Sequence, residues 1–184
     1  EKIYDEFVQK AANAAKSRKV GDPFAMDTDQ GPQVDKDQFG KILNYIETGK
    51  KEGAKLLTGG KRHGTKGWFV EPTVFADVKD DMTIAKEEIF GPCAHLQPFD
   101  EEDEVIALAN DTDYGLCTTV WTQGAARAHR VAEKIEVGIT WVNCWFLRDL
   151  RTSFGGAKHS GIGREGGVHS LEFYTELRNV CLKL

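Results

Sequence analysis

Residues 86–92 bring two adjacent carboxylates, an aromatic ring and a forced turn together in one short run. The carboxylates of Glu87 and Glu88 only accept hydrogen bonds, so they suit a ligand that offers hydroxyl groups. The ring of Phe90 offers an apolar wall that can orient a planar ligand. The same spacing is also typical of a helix end, with both carboxylates in solvent, Phe90 in the core and Gly91-Pro92 as the stop. Spacing alone favours the helix end.

Residues 161–166 read Gly-Ile-Gly-Arg-Glu-Gly and match the glycine spacing of a dinucleotide-binding turn. That turn follows a strand, opens a long helix and has an acidic residue about 20 positions later in a βαβ unit. Here a segment without a strand pattern precedes the glycines. We therefore interpret them as positions that let the backbone approach closely near a ligand.

The four cysteines, Cys93, Cys117, Cys144 and Cys181, are scattered and form no C-x-x-C pair. Zinc-binding spacing is therefore absent. Cys93 and His95 flank a single residue, which is weak support for a metal site, and we predict that no metal is bound. Free, buried thiols in a reducing cytosol explain the cysteines better.

Composition indicates one packed domain of ordinary size, because the 184 residues are 40% hydrophobic and 29% charged. A net charge of −5 argues against nucleic acid or an anionic membrane as a partner. No apolar run approaches the ~20 residues of a transmembrane helix, and no signal peptide is visible. We expect a cytoplasmic protein, with the mitochondrial matrix not excluded. The chain begins at Glu1 without a methionine, which suggests a fragment.

Hydrophobic periodicity predicts two amphipathic helices in the first part of the chain. The first spans residues 3–17, and the second carries Phe39, Ile42 and Ile46 and ends at Gly49 or Gly53. A short strand is predicted at 55–58. An irregular strand, interrupted by Pro72, is predicted within 67–78.

From residue 94 onward, strand and helix patterns alternate. Strands are predicted at 95–99, 117–122 and 139–143, and helices at 101–109, with Asp100 as N-cap, and at 125–135. Two successive crossovers of this kind join parallel strands, so the fold class is α/β. Residues 144–167 are a long glycine-rich loop, which is usually functional. A short helix at 168–174 and a terminal strand at 180–184 complete the prediction.

Seven short motifs follow one another along the chain. They are Ile3-Tyr4-Asp5-Glu6-Phe7, Val20-Gly21-Asp22-Pro23-Phe24, Gln30-Gly31-Pro32-Gln33, Glu71-Pro72-Thr73-Val74-Phe75, Tyr114-Gly115-Leu116, Trp141-Val142-Asn143 and Phe154-Gly155-Gly156. In this order they resemble the aldehyde dehydrogenases, and the resemblance covers almost the whole chain. The resemblance implies an α/β fold: the parallel-sheet part of the catalytic domain, with a C-terminal oligomerisation strand. Residues 1–159 would be a partial catalytic domain. Residues 160–184 would be the C-terminal loop, short helix and oligomerisation strand, and the nucleotide-binding domain would be absent.

The resemblance also reverses the preference for a plain helix end at residues 87–92, which match the family's E-E-x-F-G-P. In the family, the glutamate at the position of Glu88 accepts hydrogen bonds from the nicotinamide ribose, and the phenylalanine at Phe90 packs beside the nicotinamide. Gln38 and Lys41 match cofactor-facing positions, although a solvated helix face explains them nearly as well. The implied cofactor is NAD, with NADP not excluded because the discriminating residues lie upstream.

Further site residues are implied in the second half. Asn143 precedes the substrate-lining loop, and Phe154 matches an aromatic residue of the substrate pocket. Glu165 resembles a catalytic carboxylate that relays protons by way of water; a salt bridge with a neighbour is the alternative. Arg164 and Glu176 resemble a pair across a subunit interface, which implies a homo-oligomer.

The family's nucleophilic cysteine lies in a G-Q-x-C context that none of the four cysteines has. Its general-base glutamate and oxyanion-hole asparagine also lie upstream. In the family, a thiolate adds to the aldehyde, a hydride leaves to the nicotinamide, and the thioester is hydrolysed. The chain would supply the ribose contacts, a substrate wall and part of the subunit contact, and we expect it to be inactive without the rest of the aldehyde dehydrogenase polypeptide.

Residues 145–151 bear on the substrate. Arg148 falls where family members for simple aliphatic aldehydes tend to have an aromatic residue, and its guanidinium suits a carboxylate. Together with residues 165–174, it makes this half similar to 2-hydroxymuconic and 2-aminomuconic semialdehyde dehydrogenases, whose substrates carry a carboxylate. Alternatively, Arg148 or Arg151 simply pairs with Asp149 or another loop acid.

Residues 1–92 resemble aldehyde dehydrogenases for aliphatic or retinal-type substrates more closely, so a divergent branch and a recombinant of two genes both fit the chain. Two other functions also stay open. One is a non-catalytic homologue that acts as a structural or interaction protein, and the other is a free-standing small-molecule-binding module. A cysteine in the expected upstream context would favour the enzyme over the structural protein.

Overall fold

A computed structural model describes residues 3–184, and the chain divides into two compact units, Glu1–Asp100 and Glu101–Leu184. Helices alternate with parallel and antiparallel strand pairs, which confirms the α/β fold class. Each unit carries some of the residues to which the sequence assigns a role in the site.

The helices of the first unit are α1 (Tyr4–Ser17), α2 (Lys36–Glu52) and α3 (Thr83–Lys86). The side chain of Asp35 caps α2 by accepting a hydrogen bond from the backbone N of Gln38 at 2.8 Å. The helix ends at Gly53, whose φ of 97° is the left-handed conformation that glycine adopts without strain. The second predicted helix is thus confirmed, with Gly53 rather than Gly49 as its end.

The sheet of the first unit contains β1 (Lys55–Thr58), β2 (Thr73–Ala76) and β3 (Cys93–His95), in that spatial order. β2 pairs antiparallel with β1 and parallel with β3. Every residue of β2 is buried, and α2 packs its apolar face into the same core. The buried members of this core are Phe39, Ile42, Ile46, Ala54, Val70, Phe75, Val78, Met82 and Ile84.

The second unit contains α4 (Glu102–Asn110), β4 (Tyr114–Gly115), β5 (Cys117–Val120), α5 (Ala125–Lys134), β6 (Ile139–Val142), β7 (Ala157–Lys158) and α6 (Gly167–Tyr174). β5 and β6 pair in parallel, so α5 is a crossover helix. β4 and β7 form a short antiparallel pair that interrupts the predicted long loop. Glu102 on α4 receives hydrogen bonds from Arg130 on α5 at 2.5 and 2.8 Å.

Three predictions need correction. The crossover through α5 is confirmed, but the parallel partner of β3 is β2, so the sequence prediction of two successive crossovers is wrong for the first. The N-cap of α4 is Glu101 rather than Asp100, and the Glu104 side chain accepts from the Glu101 backbone N at 3.2 Å. Residues 175–184 form neither helix nor strand within this chain, because a strand requires a hydrogen-bonding neighbour.

Among residues 3–184, every helix is too short or too polar to span a bilayer.

Candidate functional site

Phe90 lies on the surface of the first unit in an uncommon backbone conformation. Its side chain is 74% exposed and its φ is 52°. Nε2 of Gln38 donates hydrogen bonds to the backbone O of Phe90 at 2.9 Å and of Ile89 at 3.1 Å. Placing Phe90 in the core was therefore wrong. The space beneath the turn is filled by Ile42, whose Cδ1 would lie 2.6 Å from a Cβ at Gly91.

The two neighbouring carboxylates have different surroundings. Glu87 accepts a hydrogen bond from the Tyr45 hydroxyl at 2.7 Å. Glu88 is exposed and makes no hydrogen bond or ion pair with any residue in 3–184. Lys41, one helical turn after Gln38, is exposed and is likewise unpaired within the described part of the chain. The structure thus brings Gln38 against Phe90 and leaves Lys41 and Glu88 available to a ligand.

A surface depression of about 440 Å³ lies beside Phe90. Its walls come from the segment before α2, from the first turns of that helix and from the turn at Gly91. The lining residues are Pro32, Gln33, Val34, Gln38, Phe90 and Gly91. A ligand that contacts Phe90 can therefore also contact Gln38.

In the second unit, Asn143 begins the long loop and uses its side chain on the backbone. Its Oδ1 accepts from the backbone N of Thr122 at 2.9 Å, and its Nδ2 donates to the Thr122 carbonyl at 2.8 Å. The backbone of Asn143 has a φ of 53°, a left-handed conformation that asparagine tolerates better than most residues. Asn143 therefore fixes the start of the loop against the residue that follows β5 by two positions.

Phe154 and Glu165 are joined by an isolated antiparallel bridge. Each backbone N donates to the other residue's carbonyl oxygen at 2.7 Å. Both residues line a cavity of about 320 Å³ between the loop and α6, together with apolar side chains such as Leu116 and Phe173. The Glu165 carboxylate forms no ion pair with residues 3–184, so the alternative salt bridge does not form within them.

The two arginines of the loop differ in their partners. The guanidinium carbon of Arg148 lies 3.9 Å from the ring centroid of Phe154 and 5.8 Å from that of Phe146. Arg151 instead pairs with Asp149, with its Nε 2.9 Å from Oδ1, and this hydrogen bond lowers the pKa of Asp149. The sequence leaves open that Arg148 or Arg151 pairs with Asp149, and in the structure Arg151 does so. Arg148 has no ion-pair partner among residues 3–184.

Glycines let the loop backbone pack against itself. A Cβ at Gly155 would lie 2.5 Å from the Gly163 carbonyl oxygen, and a Cβ at Gly156 would lie 2.4 Å from Ser160 Cβ. Nη1 of Arg164 donates to the Gly156 carbonyl at 2.6 Å, so its guanidinium is engaged within the loop. The interpretation of close backbone approach concerns the glycines of residues 161–166. A Cβ at Gly166 would lie 2.2 Å from the Thr152 carbonyl oxygen, which bears it out there, whereas a Cβ at Gly163 would come no nearer than 4.0 Å to Phe173. The pairing of Arg164 with Glu176 across subunits stays a prediction.

All four cysteines are free, but the prediction that they are buried is wrong for Cys181, which is exposed, while Cys93, Cys117 and Cys144 are partly buried. Burial raises the pKa of Cys93 to about 11 and also raises the pKa of Cys117, while burial lowers the pKa of His95. A thiol with a raised pKa is a poor nucleophile at neutral pH. Across the described residues, no three His, Cys, Asp or Glu side chains lie close enough to hold a metal ion.

Sequence reasoning missed two residues that hold the Glu88 segment. These are Tyr45, which binds Glu87, and Glu52, whose carboxylate accepts from the backbone N of Thr83 at 2.8 Å and from its hydroxyl at 2.6 Å. Both lie on the stripe of α2 that carries Gln38 and Ile42, so their spacing was the available signal. Their partners, Glu87 and Thr83, lie 42 and 31 positions away in the chain, so the helical spacing alone does not identify them.

Comparison with known proteins identifies the family. The aldehyde dehydrogenase family model matches residues 1–180. The chain is 50% identical over 99% of its length to 2-hydroxymuconic semialdehyde dehydrogenase of Pseudomonas putida, and covers 38% of that protein. It is 53% identical to 2-aminomuconic 6-semialdehyde dehydrogenase of a Pseudomonas species, again over 99% of this chain and 38% of the relative.

A solved structure agrees with these relatives. The NAD+ complex of aldehyde dehydrogenase from Bacillus cereus superposes with a TM-score of 0.93 at 49% identity, over 96% of this chain and 36% of that one. The chain therefore spans little more than a third of the proteins it matches. It belongs to the aldehyde dehydrogenase family.

Proposed function

We propose that the full-length protein containing this chain oxidises an aldehyde to a carboxylic acid with NAD. The observation that carries the proposal is the Glu88 segment. The Glu88 carboxylate, which has no partner among residues 3–184, stands two residues from an exposed ring, and Gln38 holds the backbone of that ring. The chain covers only 38% of the Pseudomonas putida relative. We therefore assign the activity to the whole protein and only part of the site to these residues.

These residues fit the nicotinamide end of the cofactor. Glu88 can accept hydrogen bonds from two ribose hydroxyls, and Phe90 can offer its face to the nicotinamide ring. Gln38 and Lys41 lie on the adjacent turns of α2 as further cofactor contacts. The cofactor, when bound, supplies the acceptor for the substrate hydride. We favour NAD over NADP because a similar enzyme was solved as an NAD+ complex.

Glu88→Gln in the full-length enzyme tests this assignment. The amide keeps one acceptor but introduces a donor that opposes the ribose hydroxyls. We expect KM for NAD to rise about ten- to a hundredfold, the equivalent of a hydrogen bond to a charged group. Glu47→Gln removes a carboxylate of α2 that pairs with Lys50 at 2.7 Å, and it should leave KM unchanged. An unchanged KM for NAD in Glu88→Gln would contradict the proposed contact with the ribose. A kcat/KM of the parent enzyme that is higher with NADP than with NAD would overturn the choice of NAD.

For the substrate, we propose an aldehyde that carries a remote carboxylate, such as 2-hydroxymuconic semialdehyde. Arg148 has a guanidinium stacked on Phe154 and no acidic partner among residues 3–184. Stacking leaves the edge of the guanidinium, where its N–H groups are, free for a carboxylate. The names of the two Pseudomonas relatives agree with this class.

Arg148→Ala tests the substrate class. For a carboxylate-bearing semialdehyde, kcat/KM should fall about ten- to a hundredfold, as for the loss of one hydrogen bond to a charged group. A neutral aldehyde should be affected little. Arg151→Ala is the matched control because that guanidinium is already paired with Asp149. Equal losses for both substrates in Arg148→Ala would remove the carboxylate argument.

The remaining roles follow the family pattern. We assign Glu165 to proton relay through water, Phe154 to the substrate wall and Asn143 to the start of the substrate-lining loop. The alternating apolar residues Val180 and Leu182 are 74% and 78% exposed, which supports strand pairing with another subunit of a homo-oligomer. We place the protein in the cytoplasm, with the mitochondrial matrix as the other compartment.

A further inference from the structure

One stripe of α2 contacts the whole segment that carries Glu88. The stripe residues are Gln38, Ile42, Tyr45, Gly49 and Glu52. They are spaced by three or four positions, which places them on one helix face. The segment from Thr83 to Gly91 runs along this face in the opposite direction, with Thr83 against the last turn of the helix and Phe90 against the first.

Polar and apolar contacts alternate along the stripe. Glu52, Tyr45 and Gln38 make hydrogen bonds to residues 83, 87 and 90. Between them, the helix and the segment approach closely. A Cβ at Gly49 would lie 2.9 Å from Ile84 Cδ1, and a Cβ at Gly91 would lie 2.6 Å from Ile42 Cδ1. The segment is therefore held at regular intervals before any ligand arrives.

The central contact distinguishes the two carboxylates. The half-buried Tyr45 donates its hydroxyl to Glu87 at 2.7 Å, while Glu88 has no hydrogen bond or ion pair within residues 3–184. We infer that Tyr45 is a positioning residue for the cofactor. By binding Glu87, it fixes the backbone immediately before Glu88 and keeps the neighbouring carboxylate on α2. One carboxylate rather than two is then offered to the ribose. This inference rests on the proposed ribose contact of Glu88.

The physical gain is preorganisation. A segment ordered in advance loses less conformational entropy when the ligand binds. A released Glu87 would also bring a second negative charge beside Glu88 and compete for the same hydroxyl donors. Both effects lower affinity for the cofactor and leave the chemistry at the aldehyde unaltered.

Tyr45→Phe in the full-length enzyme removes only the hydroxyl. We expect KM for NAD to rise about three- to tenfold, as for the loss of one hydrogen bond, while kcat and KM for the aldehyde stay within about twofold. Tyr114→Phe is the control, because that hydroxyl lies in β4 of the other unit. Equal changes in kcat and both KM values would indicate general structural damage and overturn the inference.

A double-mutant cycle tests whether Tyr45 acts through Glu87. Glu87→Ala should itself raise KM for NAD, and adding Tyr45→Phe to it should change KM by less than about twofold. A full additive effect would overturn the inference. An unchanged KM in Tyr45→Phe, beside a raised KM in Glu88→Gln, would overturn the inference and leave the proposed function intact. If Glu88→Gln leaves KM for NAD unchanged, both the inference on Tyr45 and the proposed ribose contact of Glu88 are overturned.

Discussion

The two units hold their candidate site residues in different ways. In residues 1–100, nine buried hydrophobic residues form a core, and side chains of α2 hold the segment that carries Glu88 and Phe90. In residues 101–184, the buried hydrophobic residues are Ile106, Val131 and Trp141. There a backbone bridge and glycine contacts in the loop hold Phe154 and Glu165, while Asn143 is held by its own side chain. Side chains of a neighbouring helix thus hold the Glu88 segment, and main-chain contacts hold Phe154 and Glu165.

This difference predicts different tolerance to mutation. A side-chain hydrogen bond can be weakened in steps, because a conservative replacement preserves the packing around it. A close approach of two backbone segments has no such steps, because any Cβ occupies space that the other segment fills. A single added Cβ in the loop of the second unit should therefore cause a large loss of stability. Conservative substitutions in the segment that packs on α2 should cause smaller, graded losses.

The largest effect should come from Gly138→Ala. A Cβ there would lie 1.7 Å from the Gly155 carbonyl oxygen, so the loop must move. We expect a loss of about 3 kcal/mol or more in the free energy of unfolding, measured by urea denaturation. Gly40→Ala, whose Cβ would meet nothing within 4 Å on α2, should instead stabilise the chain by about 0.5–1 kcal/mol. Similar urea midpoints for the two variants would contradict the claim that the loop tolerates an added Cβ less well than α2 does.

A smaller effect should follow from Phe154→Leu, which removes the ring beneath Arg148. The stacked pair at 3.9 Å orients an exposed guanidinium, and such contacts contribute about 0.5–1 kcal/mol. We expect the ratio of kcat/KM for a carboxylate-bearing semialdehyde over a neutral aldehyde to fall about two- to fivefold. Phe146→Leu, at 5.8 Å, should change that ratio less. A larger change in Phe146→Leu would reassign the partner of Arg148.

The sequence predicted the regular elements well because their signals are local. The strand at Lys55–Thr58 and the crossover through α5 agree with the periodicity and turn residues around them. Spacing alone favours a core position for Phe90, and only the family resemblance places it beside a cofactor. The structure has Phe90 on the surface, and its backbone accepts a hydrogen bond from Gln38, 52 positions earlier in the chain, a contact that spacing cannot predict.

The same limit applies to the candidate site. Family motifs led to Glu88, Phe154 and Glu165, whose residue types are distinctive at their positions. The role of Tyr45 was missed because its partner Glu87 lies 42 positions away in the chain. The bridge between Phe154 and Glu165 was missed because it forms inside an irregular loop that has no strand periodicity. The choice between Arg148 and Arg151 likewise required the geometry of the loop. Asp149 lies one residue from Arg148 and two from Arg151, and it pairs with the latter.

The smallest effect concerns the ion pairs between α4 and α5, which supplement the small core of the second unit. The hydrogen bond from Arg130 lowers the pKa of Glu102 below its ordinary value. A lowered pKa contributes stability above the unfolded value, and this stability is lost as pH falls through the folded value. Glu102→Gln should therefore lower the unfolding midpoint slightly at pH 7. The difference from the parent should begin to shrink as the pH falls through about 4.3, the ordinary pKa of a glutamate, and should vanish only below the lowered pKa of Glu102. Added salt at pH 7 should shrink the difference, because these side chains are screened by solvent. A difference that persists in acid would mean that Glu102 stabilises the helices by packing rather than by charge, and the second unit would then resemble the first more closely than its small core indicates.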